Sequence, residues 1–116
     1  MITGIHHFSL ICSSEAAVEF YKKLGFREYR RIERKFDTVV LMNGHGIGLE
    51  LFIDPSYPPR SNPEPLGPRH LSLRVDKVED TARELDLEIG PVMEDWTGVR
   101  FAFCADPDGN VVQVHE

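Results

Sequence analysis

Two short segments of the chain repeat each other, and each carries a histidine that could bind a metal ion. The segment IHHFSL near the start resembles PRHLSL, 63 residues further along, so that His7 matches His70. Forty-three residues after each histidine comes a side-chain oxygen, from Glu50 in the first case and from Gln113 in the second. Imidazole nitrogens and side-chain oxygens are ligands of divalent metal ions. The duplication predicts one divalent cation, bound between the two copies by these four side chains.

Strand alternation places all four candidates on the same kind of surface. Each stands in a run where apolar and more polar residues alternate, and successive side chains of a strand point to opposite faces. The candidates fall on the more polar face, and the continuous apolar face is expected to pack on helices. The repeat favours His7 over its neighbour His6 as the ligand, because His6 corresponds to Arg69.

The elements that position these residues follow one order in both halves. In the first half, apolar residues at helical spacing follow Ser13 and Ser14, either of which can cap a helix, and Gly25 is a natural stop. Asn43-Gly44 is typical of a hairpin turn. The predicted elements are a strand over 5–12, a helix over 16–24, and strands over 26–33, 37–42 and 46–53.

The second half repeats this order after a proline-rich segment. Residues 54–68 hold six of the eight prolines and are predicted to form an extended linker between module one (1–53) and module two (69–116) of a single domain. Asp106 to Gly109 is predicted to turn the last two strands into a hairpin. The predicted elements are a strand over 70–75, a helix over about 78–87, and strands near 88–93, 99–105 and 111–115.

Composition restricts the classes of partner. The 116 residues suit one domain, and the net charge of −6 argues against nucleic acid or an anionic membrane as a partner. The basic run over 27–35 is interrupted by two glutamates and is interpreted as a solvated strand face. No membrane span or signal peptide is recognised. Cys12 and Cys104 lie in apolar runs without a CxxC pair, which favours free thiols and a cytoplasmic location.

The motifs together resemble a known family. I-H-H-x-x-L, V-E-F-Y-K-K-L-G-F, G-L-E-L-F, R-H-L-S-L-R-V and D-P-D-G-N are similar to the vicinal oxygen chelate superfamily, and within it to small bacterial glyoxalase I-like (lactoylglutathione lyase-like) proteins. The resemblance covers residues 5–116. It implies an α+β fold of tandem βαβββ modules, whose curved mixed sheets pair around a cleft, either within one chain or across a homodimer.

The resemblance also implies a site and a chemistry. By position, the metal ligands are His7, Glu50, His70 and Gln113, and the ion is Ni²⁺, Co²⁺, Zn²⁺ or Mn²⁺. Most glyoxalase I-like relatives have a glutamate where Gln113 stands, so this residue is a departure. Such a site binds a small molecule with two neighbouring oxygens, for example a 2-oxoaldehyde hemithioacetal, and moves a proton beside its carbonyl.

The departure at Gln113 makes Glu50 the expected catalytic base, because an amide does not accept a proton at neutral pH. Two other functions stay open. One is an epimerase similar to methylmalonyl-CoA epimerase, since those relatives also combine two histidines, one glutamate and one glutamine. The other is a binding protein similar to the bleomycin resistance proteins, which sequester a ligand without a catalytic metal.

Overall fold

The computed structural model describes residues 1–61 and 63–116, which form two compact units, Met1–Pro58 and Pro59–Glu116. Each unit contains one strand, one helix and three further strands in that order. Residue 62, inside the predicted linker, lies outside the described residues. Among the residues described, no helix is long and apolar enough to cross a membrane.

Each unit is built on a four-stranded mixed sheet. In the first unit the strand order is β1-β4-β3-β2, and in the second it is β5-β8-β7-β6. The pairs β1–β4 and β5–β8 are parallel, and the remaining pairs are antiparallel. The predicted fold class, α+β with tandem βαβββ modules, is confirmed. The elements are β1 (His7–Cys12), α1 (Ala16–Lys23), β2 (Arg27–Glu33), β3 (Thr38–Gly44), β4 (Ile47–Ile53), β5 (Leu71–Arg74), α2 (Val78–Glu84), β6 (Met93–Glu94), β7 (Arg100–Ala105) and β8 (Val111–His115).

Helix α1 begins and ends where the sequence indicates. The Ser14 hydroxyl accepts a hydrogen bond from the backbone N–H of Ala16 at 3.3 Å. Gly25 has a φ of 98°, the left-handed conformation that commonly follows a helix. The helix and the apolar sheet face supply most of the buried residues of this unit, because strand alternation points every second side chain to that face. They include Ala17, Val18, Tyr21, Val40, Met42, Leu49 and Leu51.

The hairpin between β3 and β4 turns two residues later than the sequence predicts. His45 and Gly46 occupy the turn with φ values of 52° and 82°, and Asn43-Gly44 belongs to the strand instead. Two consecutive residues with positive φ are the signature of a tight hairpin turn. The observed register pairs Met42 with Leu49 and so sets two buried side chains opposite each other. Apolar pairing therefore outweighs the local preference of Asn-Gly.

The His45 side chain closes the end of helix α1. Its Nε2 lies 2.7 Å from the backbone oxygen of Leu24 and donates a hydrogen bond to it, since a carbonyl can only accept. The ring also packs edge-on against Phe26, with 5.2 Å between ring centroids. A Cβ at Gly25 would lie 2.9 Å from the same Nε2. Gly25 therefore leaves the space that the imidazole occupies.

In the second unit the helix is shorter than predicted. Helix α2 ends at Glu84 rather than near residue 87, because Asp86 takes a left-handed φ of 53°. Aspartate tolerates this conformation better than most residues. The N–H of Leu87 then bonds to the carbonyl of Ala82 at 2.8 Å and completes the helix end. The core of this unit joins Val78, Ala102 and Val114 with the partly buried Val75, Ile89 and Val92.

The strand predicted near 88–93 is wrong over most of its length. Only Met93–Glu94 forms β6, and it pairs with Phe101 and Arg100 of β7. Pro91 has no backbone N–H to donate to a sheet, so the segment before it cannot continue the ladder. The N–H of Gly90 nevertheless reaches the carbonyl of Phe103 at 2.8 Å and keeps the segment beside β7.

The turn predicted between the last two strands is confirmed. Asp106 is 5% exposed, and its Oδ1 accepts backbone N–H groups of Asp108 and Asn110, each at 2.9 Å. Gly109 has a φ of 82° and donates its N–H to the Asp106 carbonyl at 3.0 Å. This buried carboxylate accepts hydrogen bonds from the backbone N–H groups of the turn that leads into β8, the strand of Gln113.

Candidate metal centre

The first unit brings two of the four candidate ligands together. Parallel pairing of β1 with β4 sets His7 opposite Gly48 and Ser9 opposite Glu50, so His7 and Glu50 are diagonal neighbours on one face. His7 Nε2 lies 3.1 Å from Glu50 Oε2. Their side chains are 36% and 23% exposed, which leaves the pair accessible to an ion or a small ligand.

The separation of these two atoms fits shared coordination of one divalent ion. Ligand nitrogens and oxygens lie about 2.1 Å from divalent ions of this size, so two ligands at the right angle of an octahedral ion lie about 3 Å apart. The 3.1 Å between His7 Nε2 and Glu50 Oε2 has this size. Without an ion, the same distance suits a hydrogen bond from the imidazole to the carboxylate. The pair is therefore suited to hold a metal with little movement.

His6 contacts the other nitrogen of the His7 ring. The two Nδ1 atoms are 2.8 Å apart, and the rings meet edge to face. When His7 is the donor in this contact, its Nε2 keeps the lone pair that a metal requires and directs it towards Glu50. His6 precedes β1, which begins at His7, so the alternation of side chains along a strand does not separate the two rings.

In the second unit the corresponding residues belong to the equivalent strand pair, β5 and β8, but His70 is placed differently from His7. His70 lies directly before β5, not inside the strand as predicted, and its ring meets that of Phe103 with 5.4 Å between centroids. Gln113 lies in the middle of β8, opposite Ser72 of β5. Among residues 63–116 no hydrogen bond joins His70 to Gln113. The ligand set of all four residues stays a prediction.

The structure adds a pair of serines whose role was not predicted. Ser72 Oγ lies 2.7 Å from Gln113 Oε1, and Ser9 Oγ lies 3.5 Å from Glu50 Oε2. Each serine therefore faces the oxygen candidate of its own unit. The signal was present in the sequence, because the repeat HFSL and HLSL also aligns these serines. A hydroxyl at this place can orient an oxygen ligand in the way that hydrogen-bonding partners commonly orient metal ligands.

Two phenylalanines of β7 lie on the same face of the sheet as Gln113. The register pairs Phe103 with Gln113 and Phe101 with His115. The two phenylalanine rings meet edge to face at 5.5 Å, and His115 stacks on Phe101 at 6.2 Å. This surface can contact the apolar parts of a small molecule while Gln113 offers a polar atom.

A hydrogen bond connects the loop after β6 to β8, the strand of Gln113. Asp95 Oδ2 lies 2.9 Å from His115 Nε2, while Asp95 Oδ1 accepts hydrogen bonds from the N–H and hydroxyl of Thr97 and from the N–H of Val99. The Thr97 hydroxyl, and next the His115 ring, hold the pKa of Asp95 well below its usual range. The ionised carboxylate therefore connects this loop to the end of β8.

We expect Asp95→Asn to make the free energy of unfolding less dependent on pH under acidic conditions. Because the folded-state pKa of Asp95 lies below the value of about 3.9 in an unfolded chain, its carboxylate stabilises the fold above about pH 4. That stability is lost as the pH falls through the folded-state pKa. The free energy of unfolding, measured with urea at about pH 7 and about pH 3, should fall more between these pH values in wild type than in Asp95→Asn.

The control is Asp80→Asn, which removes an exposed helical ion pair with Arg83. Equal losses in wild type and Asp95→Asn would contradict this role.

The chain belongs to the Glyoxalase/Bleomycin resistance protein/Dioxygenase superfamily, whose family model matches residues 4–114. The resemblance to the vicinal oxygen chelate proteins is thereby confirmed. The chain is 32% identical to the uncharacterized protein YaeR of Escherichia coli (strain K12), over 97% of this chain and 95% of that protein.

Solved structures with the same fold include near and distant relatives. A glyoxalase family protein from Enterococcus faecalis superposes with a TM-score of 0.88 at 34% identity, over 97% of each chain. Lactoylglutathione lyase from Agrobacterium tumefaciens superposes with a TM-score of 0.70 at 22% identity, over 99% of this chain and 94% of that one. At 22% identity, the similarity to the lactoylglutathione lyase shows a shared fold only.

Proposed function

We propose that the protein is a divalent-metal-dependent lyase or isomerase of the glyoxalase I type, which transfers a proton on a substrate with two neighbouring oxygens. The observation that carries the proposal is the 3.1 Å approach of His7 Nε2 to Glu50 Oε2 on the accessible face of the first unit. The matching His70 and Gln113 of the second unit complete the proposed ligand set. The substrate class is that of 2-oxoaldehyde hemithioacetals.

These four side chains would hold one Ni²⁺, Co²⁺, Zn²⁺ or Mn²⁺ ion. Two neutral imidazoles, one carboxylate and one amide leave a net charge of about +1 on a divalent site. When bound, the ion would act as a Lewis acid towards the oxygens of the substrate. The ligand types do not select one metal, because first-row affinities depend on the metal as much as on the site.

Glu50 is the proposed base, and its two oxygens have different surroundings. Oε2 faces His7 at 3.1 Å and Ser9 at 3.5 Å. Within residues 1–61 and 63–116, Oε1 has no hydrogen-bond partner. Glu50 would therefore hold the ion through Oε2, and Oε1 would take a proton from one carbon of the substrate and return it to the adjacent carbon. This division of roles suits a one-base proton shuttle, because Gln113 cannot act as a second base.

Gln113 also supports two alternative functions. An enzyme similar to methylmalonyl-CoA epimerase would use the same mixture of ligands, and a binding protein similar to the bleomycin resistance proteins would need no metal. Metal analysis of protein purified without an affinity tag separates the metalloenzyme from the binding protein. Isomerisation assays on hemithioacetals of methylglyoxal then separate the glyoxalase I type from the epimerase.

We also propose that the protein is a homodimer, as an isolated sheet module leaves strand edges that a second copy can cover. Light scattering at micromolar concentration should give about twice the mass of one chain. A stable monomer would exclude a site assembled from modules of two subunits.

A further inference from the structure

Strand β2 divides its arginines between two faces of the first sheet. Arg31 pairs with Val40, on the helix-covered face. Its guanidinium bonds to Glu15, just before helix α1, at 2.5 and 2.7 Å, and to Glu28 of its own strand. Arg31 therefore forms ion pairs that connect the start of helix α1 to the sheet.

Arg27 and Arg30 lie on the opposite face, which is the face of Glu50. The register pairs Arg30 with Leu41, and Leu41 with Glu50, so these three residues form one row across the sheet. Arg27 pairs with Asn43, two positions from Leu41 on β3. The register shifts between Glu28 and Arg30, so the two arginines reach one face although three positions separate them.

The charges of Arg27 and Arg30 have no partner among the residues that the structure describes. Across residues 1–61 and 63–116, neither side chain makes an ion pair or hydrogen bond, and both residues are exposed. Their neighbours differ, since Arg31 is paired and Arg34 bonds to Asp37 at 2.5 and 2.6 Å. The chain has 19 acidic residues against 13 basic ones, so acidic partners are abundant. The first sheet therefore presents two uncompensated positive charges on the face of Glu50.

Apolar side chains separate the arginines from Glu50. Leu41 stands between Arg30 and Glu50, and the next row on the same face runs from Ile32 through Val39 to Phe52. Neighbouring strands are about 4.8 Å apart, so the backbones of Glu50 and Arg30, two strands apart, lie about 10 Å from each other. This face thus carries an oxygen-chelating end, an apolar strip and a cationic edge.

We propose that Arg27 and Arg30 bind an anionic group, such as a carboxylate, at the end of the substrate remote from the reacting oxygens. The chelating end of this ligand rests on the proposed function, whereas the anionic end rests only on the arginines. Guanidinium groups bind carboxylates by charge-assisted and often bidentate hydrogen bonds, and two unpaired ones on one face favour such a group over a neutral one. The substrate is then an amphiphile with a vicinal dioxygen head, an apolar middle and an anionic tail.

Two probes that differ only at one end test this proposal. The first is the monohydroxamate of octanedioic acid, which chelates a metal through two neighbouring oxygens and ends in a carboxylate after six methylenes. The second is its terminal carboxamide. Calorimetric titration of the Zn²⁺-loaded protein should give roughly tenfold tighter binding of the carboxylate. In Arg27→Ala/Arg30→Ala the two affinities should become equal, and that of the carboxamide should not change.

The control Lys35→Ala removes one positive charge from the same basic segment, outside the strand, and should keep the tenfold preference. A preference that survives in the double variant would overturn the proposal. Probes that bind equally well to wild type would also overturn it, while leaving the metal site intact.

The arginines can be tested without the metal. In metal-free protein, the side-chain Nε–H signals of Arg27 and Arg30 should shift in the NMR spectrum with millimolar carboxylate probe, and not with the carboxamide. If neither probe binds the Zn²⁺-loaded protein tightly but these signals shift, the proposed metal function fails and the anion site stands. Signals that do not move with the carboxylate would refute the anion site.

Discussion

His7→Ala and His70→Ala should each abolish stoichiometric binding of Ni²⁺, Co²⁺, Zn²⁺ or Mn²⁺. Each substitution removes one of the two imidazoles and leaves one imidazole, one carboxylate and one amide, a set that binds these ions less well than the full set of four ligands. Metal analysis after loading and exhaustive dialysis should fall from about one ion per chain to near zero.

His6→Ala is the matched control for the first of these variants. It removes the imidazole next to His7, and its ring contact at Nδ1, but leaves Nε2 and Glu50 in place. Stoichiometric binding should persist, with an affinity reduced by about tenfold or more, as is common when the partner of a ligating histidine is lost. Equal metal content in wild type and His70→Ala would refute the four-residue ligand set.

Glu50→Gln should lower the rate of hemithioacetal isomerisation by at least about 10²-fold, well beyond any loss of metal, because a positioned proton-transfer group is worth about that factor. The amide keeps an oxygen that can face His7 but cannot take up a proton. Rates should be normalised to the metal content of each preparation. Activity that survives in metal-loaded Glu50→Gln would remove Glu50 from the role of base.

Gln113→Glu tests whether the reaction needs a second carboxylate, at position 113. If Glu50 alone moves the proton, the wild type is active and this variant changes the rate little. If a carboxylate at position 113 is essential, the wild type is nearly inactive and the variant gains about 10²-fold or more. Ser72, which lies 2.7 Å from Gln113 Oε1, remains available to bond the new carboxylate.

The repeated strand–helix–strand order could be predicted because apolar periodicity is local and the two halves support each other. The failures occur where longer-range contacts decide. Asn43-Gly44 is a favourable turn, yet pairing of Met42 with Leu49 moves the turn to His45-Gly46. Such pairing is a property of two strands together and is not visible in four residues.

The candidate site was only partly predictable. Spacing identified His7 and Glu50, which the structure places 3.1 Å apart. The repeat also aligns Ser9 with Ser72, but their proximity to Glu50 and Gln113 becomes evident only when the strand register is known. The pattern of the basic segment indicates a solvated strand face, but the register shift between Glu28 and Arg30 and the bond from Arg31 to Glu15 distribute its arginines over two faces. Bulges of this kind change which face a side chain joins and are rarely evident in one sequence.

The contact that closes helix α1 restricts how this sequence can diverge. Any side chain at Gly25 would meet the His45 ring at 2.9 Å, and the glycine φ of 98° already disfavours other residues. Loss of the imidazole, in turn, would leave the carbonyl of Leu24 without its bond to Nε2. Positions 25 and 45 are therefore coupled, and substitutions at one should be accompanied by substitutions at the other in related sequences.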